Sequence, residues 1–416
     1  MLSKEENELL TRTGAGTPMG TLLRRYWIPA LLSEEVPEPD CPPVQVRLLG
    51  EELVAFRDSQ GRVGLLGEHC HHRGTSLFYG RNEACGLTCI YHGWKYDVTG
   101  RVLETPAEPA DSRFKEKLHH TAYPTHEAAG IVFAYMGPPD TMPLFPAYDF
   151  VTADPATMRA TKTLQECSYL QGVEGECDTT HLQFLHWTFA AAGDMAAYYR
   201  DPLLEYVIEE ADFGIRLVAL RDAGERTYVR VTSIVMPMLC WIPAGGPGSV
   251  HMYVPAEDDG HSWRFNLDLN LTPERRDGPE SVFWGPGYRK LRNLGNHYLQ
   301  DREAQRTVNF TGMGPNFVIH DSCATETMGP IFDRSKEHLG ASDRAVIAMR
   351  NYLLRTVRAV AAGQEPPNLV TEPADNQFPH VGTFTRVIEG RDWRAAFPNL
   401  TRTRPSAVLT TAVAGR

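Results

Sequence analysis

Two short segments constrain this chain more than any other: EHCHHRGTSL at residues 68–77 and CIYHGWKYD, which begins at Cys89. Each sets one cysteine beside one histidine, as Cys70-x-His72 and Cys89-x2-His92, with 16 residues between the two pairs. Two Cys and two His can hold a tetrahedral zinc, but a zinc finger keeps its cysteines together and its histidines together. One ligand of each kind per loop suits a [2Fe–2S] cluster reached from opposite sides, with both cysteines on one iron and both histidines on the other. Imidazoles in place of two thiolates leave such a cluster less negative and easier to reduce, in a range of about −150 to +300 mV. His69 and His71 share the first loop but fall outside the spacing, and read as surface or outer histidines.

The 416 residues exceed what one compact core usually holds, so two domains are expected. A formal charge of −11 argues against nucleic acid as a partner. The opening MLSKEENELL lacks the apolar run of a signal peptide, and nowhere do 18 apolar residues run together, so no membrane span is expected. Eight cysteines without a secretion signal fit a reducing cytoplasm better than a disulfide framework.

Ser3 and Glu6 have capping-box spacing before Leu9 and Leu10, and Thr17-Pro18 starts a second helix. From about Pro43 to Pro138, short runs such as VQVRLLG, ELVAFRD, RVGLL and GIVFAYMG alternate with turn residues, the pattern of a small antiparallel β-domain. Both Cys/His motifs fall on its loops. The Pro-rich stretch 136–150 reads as a linker. Beyond it, strand-like runs (YVIEE, IRLVAL, YVRVTSIVM, RFNLDLNL) mix with helices. The clearest helix is SDRAVIAMRNYLLRTVRAVAAG, expected to be capped by Ser342 and ended by Gly363. The last residues, from Thr401, read as a loosely held tail.

A cluster of this kind moves single electrons, so the chain should also say where they go. Residues 171–187 give Asp178-x2-His181-x4-His186. Asp178 and His181 would share a helix face. His181 and His186 stand about 140° apart on a regular helix and meet at one metal only if the helix ends or bulges there. A third ligand would complete the 2-His-1-carboxylate face of a non-haem Fe(II) site, which leaves positions open for O₂. Downstream carboxylates are Asp321, Glu326, Asp333 and Asp343, and spacing does not choose among them.

With LLRRYWIPA, CHHRGTSL, CIYHGWKYD, EGECDTTHLQFLH, NFTG and MGPIFDRSKEHLGASD, most of the chain resembles the Rieske non-haem iron oxygenase α-subunits. The likeness is to the phthalate-dioxygenase-like group, which includes aromatic O-demethylases. It departs at Ser168-Tyr169, where the family often has Asn-Trp. The resemblance implies an α+β fold: an antiparallel β Rieske domain at residues 26–150, and a catalytic domain of an antiparallel sheet surrounded by helices at 151–416, joined by the N-terminal helices 1–25. It implies Cys70, His72, Cys89 and His92 as cluster ligands, and His181, His186 and Asp321 as iron ligands, with Asp333 as the fallback. It further implies a head-to-tail homotrimer, or a hexamer of two trimers, in which the cluster of one subunit serves the iron of its neighbour. Asp178 would bridge that junction between His181 and His92 of the adjacent chain. The glycine-rich GAGTPMG at 14–20 has the wrong spacing for a dinucleotide site, so electrons would come from a separate NAD(P)H-dependent reductase carrying flavin and its own iron–sulfur cluster.

The expected substrate is an aromatic small molecule, with an aromatic acid favoured, to be hydroxylated or oxidatively O-demethylated. The apolar stretch MPMLCWIPAGGPG, residues 236–248, fits either a pocket wall or a core strand. Any base for a substrate carboxylate would come from elsewhere, such as Arg200, Arg216 or Arg230. The competing expectation is an electron carrier whose second domain is inert, which would have no need of Asp178, His181, His186 or Asp321.

Overall fold

The computed structural model describes residues 1–109, 111–189, 204–243, 248–258, 260–276 and 284–401. Its N-terminal part is built from short antiparallel strands. Val44–Leu48, Glu51–Arg57, Val63–Gly67 and Ala122–Tyr123 form one four-stranded sheet, and Arg81–Glu83, Gly86–Thr88, Lys95–Tyr96 and Val102–Glu104 form another. The Cys70 loop leaves the first sheet after Val63–Gly67, and the Cys89 loop joins two strands of the second. Val54, Phe56, Leu66, Leu77, Leu87, Trp94 and Tyr96 pack with the two cysteines into a small core of their own.

The second part is dominated by an eight-stranded antiparallel sheet. Its spatial order is Arg159–Gln165, Ser262–Asp268, Ser249–Pro255, Leu239–Ile242, Arg226–Val235, Gly214–Ala223 and Glu205–Ala211, with Phe384–Glu389 also pairing Arg226–Val235. Helices Tyr169–Cys177, Phe317–Glu326 and Arg344–Ala361 pack around it. The strand-like runs read beyond residue 150 fall on these strands, and GIVFAYMG falls on Ile131–Tyr135, which pairs with Trp27–Leu32 and Thr125–Ala128 in a separate sheet. Gly172 lets helix Tyr169–Cys177 lie against the sheet, since a Cβ there would come within 2.1 Å of the Tyr253 ring.

The expected capping box is present at Ser3 and Glu6, and Thr17 caps a helix with Pro18 at its first position. The first helix packs on the second part, where Tyr169 donates to Leu10 O at 2.5 Å and Arg358 pairs with Glu6 at 2.8 Å. Two local expectations need correction. The long helix starts after Asp343 rather than Ser342, because residues 341–343 form a 3-10 turn in which Asp343 accepts from Gly340 N–H at 2.6 Å. Stretch 136–150 is no free linker: Met136, Tyr148 and Phe150 are buried in the main core, which runs from Leu2 to Val381 through both parts. Gly363, with φ of 86°, ends the long helix as expected. The tail from residue 402 lies outside the described residues.

Candidate functional site

The two Cys/His loops are copies of one turn. In the first, Gly74 N–H donates to Cys70 O at 2.8 Å and Cys70 N–H to Thr75 O at 2.9 Å. In the second, Gly93 N–H donates to Cys89 O at 3.0 Å and Cys89 N–H to Trp94 O at 2.8 Å. Gly74 and Gly93 both sit at positive φ, 74° and 75°, where a side chain is strained. Cys70 and Cys89 are each 3% exposed, whereas His72 is exposed and His92 half-buried. The imidazoles of His72 and His92 meet with ring centroids 4.4 Å apart, and Trp94 stacks on His72 at 4.7 Å.

A tetrahedral zinc would require its donors to converge, since Zn–S and Zn–N bonds of about 2.0–2.3 Å put all four within about 4 Å of one another. Among the described residues, only His181, His186 and Asp321 bring three such donor atoms within 4.8 Å of one another. Cys70, His72, Cys89 and His92 make no such group. Paired donors on matched loops fit a two-iron cluster better than a single ion. Tyr96 Oη lies 3.1 Å from Cys70 Sγ. His69 is at the surface, 2.9 Å from Glu52, and His71 packs edge-on against the buried His120 at 4.3 Å.

The second site forms where a helix stops. Helix Tyr169–Cys177 ends at Asp178, whose backbone is extended, and His181–Gln183 is a separate 3-10 turn. Asp178 and His181 therefore do not share a helix face, contrary to the sequence reading. The break turns His181 and His186 toward one point, with ring centroids 5.2 Å apart. Helix Phe317–Glu326, capped by Asn316, brings Asp321 to the same point. Asp321 Oδ1 stands 2.9 Å from His186 Nε2 and 3.8 Å from His181 Nε2.

The other candidate carboxylates are occupied elsewhere. Glu326 is buried with Lys290 at 2.6 Å and Tyr298 at 2.5 Å; Asp333 pairs with Lys336 at 3.0 Å; Asp343 serves its own turn.

His320, which the sequence reading missed, orients the His186 ring. Its Nε2 is 2.8 Å from Gly314 O, a group that only accepts, so this nitrogen carries the proton. Burial pushes the His320 pKa down, which favours the neutral ring with Nδ1 as acceptor. His186 Nδ1, 3.2 Å from it, then donates, and His186 Nε2 is the nitrogen that faces Asp321 Oδ1, at 2.9 Å. Two imidazoles and one carboxylate converging in this way form a donor set that fits a metal ion. Burial would raise the Asp321 carboxyl, but His186, Arg264 and His181 together hold it far below the usual range. Asp178 is half-buried; one oxygen accepts from Thr180 N–H at 2.7 Å, and the other is 3.8 Å from His181 Nδ1, too long for a hydrogen bond.

An open cleft of about 940 Å³, counting space continuous with solvent, leads to Asp178, His181 and Asp321. Its bases are Arg264 and Arg350, neither of which the sequence reading named. Arg216 is buried against Glu209 and His380 O, and Arg230 donates to Pro243 O, so neither lines this cleft. Arg200 lies outside the described residues, as do 244–247. Residues 236–242 are buried in the core and do not line the cleft, which favours the core-strand reading of that stretch.

Comparison with known proteins agrees with both halves. The Rieske [2Fe-2S] domain family matches residues 26–124, and the LigXa C-terminal domain like family matches residues 134–410. This chain belongs to the Rieske non-haem iron oxygenases. Within them it falls in the phthalate-dioxygenase-like group. It is 41% identical to the phthalate 4,5-dioxygenase oxygenase subunit of Pseudomonas putida, over 88% of each chain. It is 31% identical to the 5,5'-dehydrodivanillate O-demethylase oxygenase subunit of Sphingobium sp. (strain NBRC 103272 / SYK-6), over 94% of this chain and 89% of that one. The solved structure of dicamba monooxygenase bound to dicamba shares the fold, with a TM-score of 0.59 at 19% identity, covering 83% of this chain and all of that one. Members of the family use the Rieske cluster, a mononuclear iron and O₂, so this oxygenase is an enzyme and an oxygenase component of the aromatic dioxygenase and O-demethylase type. Among the described residues no helix is long and apolar enough to cross a membrane.

Proposed function

We propose that this Rieske oxygenase activates O₂ at an iron held by His181, His186 and Asp321, and so hydroxylates or O-demethylates an aromatic substrate, an aromatic acid being favoured. The observation that carries the reading is the convergence of those three side chains, with Nε2 of His186 turned inward. Cys70, His72, Cys89 and His92 hold the Rieske cluster of a domain spanning residues 26–150, and residues 1–25 with 151–416 carry the iron.

When bound, the iron supplies O₂ activation and the cluster supplies an electron to it. The chain supplies geometry. His320 holds the proton on His186 Nδ1 and fixes the ring, Asp321 contributes the single carboxylate, and the cleft admits a substrate of aromatic size. Electrons come from a separate flavin and iron–sulfur reductase using NAD(P)H. In support, carbazole 1,9a-dioxygenase, whose oxygenase shares this fold with a TM-score of 0.56, has been solved in a complex of oxygenase and ferredoxin. Asp178 carries the junction between subunits of a trimer, or a pair of trimers: half-exposed beside His181, it has one oxygen available to His92 of an adjacent chain.

The test combines metal analysis with turnover. The purified protein should hold about three irons per chain, two in the cluster and one mononuclear. With a surrogate reductase it should couple NADH and O₂ consumption to conversion of one member of a panel of phthalates, methoxybenzoates and biaryl acids. Two irons per chain and no coupled turnover across the panel would leave only an electron carrier.

A further inference from the structure

Beside the iron site, one face of the large sheet is polar where a buried sheet is normally apolar. Strands Ser249–Pro255 and Ser262–Asp268 pair with His251 opposite Asn266 and Tyr253 opposite Arg264. Alternation along each strand puts these four side chains on one face. All are buried, between 3% and 8% exposed. That face meets Glu176, two residues before Asp178, where the helix breaks. His251 Nδ1 lies 2.6 Å from Glu176 Oε1, and Tyr253 Oη donates to the same oxygen at 2.7 Å.

Arg264 is the member that reaches the iron site. Its Nη1 donates to Asp321 Oδ2 at 3.2 Å, its Nε to Asn266 Oδ1 at 3.0 Å, and its Nη2 lies 3.0 Å from His251 Nδ1 and 3.7 Å from Glu176. Nη1 and Nε are thus hydrogen-bonded, Nη2 faces the Glu176 charge (His251 Nδ1 itself donates to Glu176), and the face of the guanidinium lies over Tyr253 at 5.7 Å. The two oxygens of Asp321 are divided: Oδ1 faces the histidines and Oδ2 faces Arg264.

We infer that Arg264 is a positioning residue for the iron carboxylate. It holds Oδ2 so that Oδ1 stays turned to His181 and His186, while Glu176, His251, Tyr253 and Asn266 fix the orientation of the guanidinium. A lone buried Arg would be costly, and Glu176 balances it. Removing the Arg also removes a positive charge near the metal, which alone would tighten cation binding. Positioning and charge therefore predict opposite signs for iron affinity.

This inference rests on the iron site proposed above. The experiment measures Fe(II) retention against a chelator, anaerobically, with cluster absorbance as the reference for folding. Arg264→Met should lose mononuclear iron at least tenfold more readily than wild type, with the cluster unchanged. Arg264→Lys, which keeps a cation but not the fork, should recover part of the loss. Glu176→Gln should weaken retention severalfold without touching Asp321. At saturating iron, the electron paramagnetic resonance signal of the nitric oxide adduct should broaden in Arg264→Met and sharpen again in Arg264→Lys. If Arg264→Met does not fold, Arg264→Lys and Glu176→Gln decide the matter by the same measurements. Wild type without mononuclear iron overturns the function proposed above; wild type with iron, and variants that retain it as well or better, overturn only the role of Arg264.

Discussion

The two metal sites proposed for this oxygenase are built in opposite ways. Around the cluster, each loop supplies one Cys and one His from a single tight turn, and the same turn is used twice. Around the iron, nothing is local: a helix must stop at Asp178, and a second helix must deliver Asp321, with His186 separated from its partner His320 by 134 residues. The first site depends on turn geometry within a few residues. The second depends on the packing of the whole catalytic part. A substitution should therefore damage one site and spare the other.

The strongest break of this comparison comes from the iron donors. His181→Ala, His186→Ala or Asp321→Ala should abolish mononuclear iron and turnover, while the visible spectrum and reducibility of the cluster stay as in wild type. Asp333→Ala should change neither. Iron retained in Asp321→Ala but lost in Asp333→Ala would move the carboxylate.

Asp178 is the point where the two sites would meet. Asp178→Asn should keep both metals, yet slow reoxidation of the pre-reduced cluster, in the presence of substrate and O₂, by at least tenfold, or about 1.4 kcal/mol in the barrier. Reoxidation at the wild-type rate would remove Asp178 from the path. Sedimentation of wild type as a fully active monomer would also remove the junction itself.

His320→Ala frees the proton-bearing side of His186 and should weaken mononuclear iron about tenfold, leaving the cluster alone. Equal iron affinity in variant and wild type would mean that the ring is fixed by other contacts, such as the Phe317 ring stacked on it at 4.2 Å.

The smallest effects test how alike the two loops are. Gly74→Ala and Gly93→Ala should each destabilise the cluster domain by about 1–2 kcal/mol, the cost of a Cβ at positive φ. Gly93→Ala should be the worse, because its Cβ meets Pro106 at 3.1 Å whereas that of Gly74 meets nothing within 4 Å. Equal melting temperatures would show that the loop yields to Pro106.

The same contrast explains what could be read from the sequence. Cys70, His72, Cys89 and His92 stood out because their spacing is itself the geometry. The strands were legible from alternation, and the first two helices from their caps. His181 and His186 were weaker, since a regular helix would separate them, and only the break after Cys177 turns them together. Asp321 was chosen by resemblance, because its approach depends on the placement of helix Phe317–Glu326. Glu176, His320 and Arg264 were missed for a similar reason: their partners come from strand register and helix packing. The one signal available was a charged residue, Arg264, in the strand RFNLDLNL at a position facing the core. Ser342 failed as a cap because Asp343, one residue on, competes for the same turn.

The burial of the two cysteines against the exposure of His72 has an electrical consequence. In the proposed cluster the thiolate side would be insulated by Leu66, Leu77, Leu87 and Tyr96, while the imidazole side would be the terminal nearer solvent. Charge can leave this domain without crossing its core, but only through a face that Ile90 and Tyr91, both more than half exposed, surround with greasy surface. A terminal of that kind would conduct best when a partner surface with a matching apolar rim closes over it.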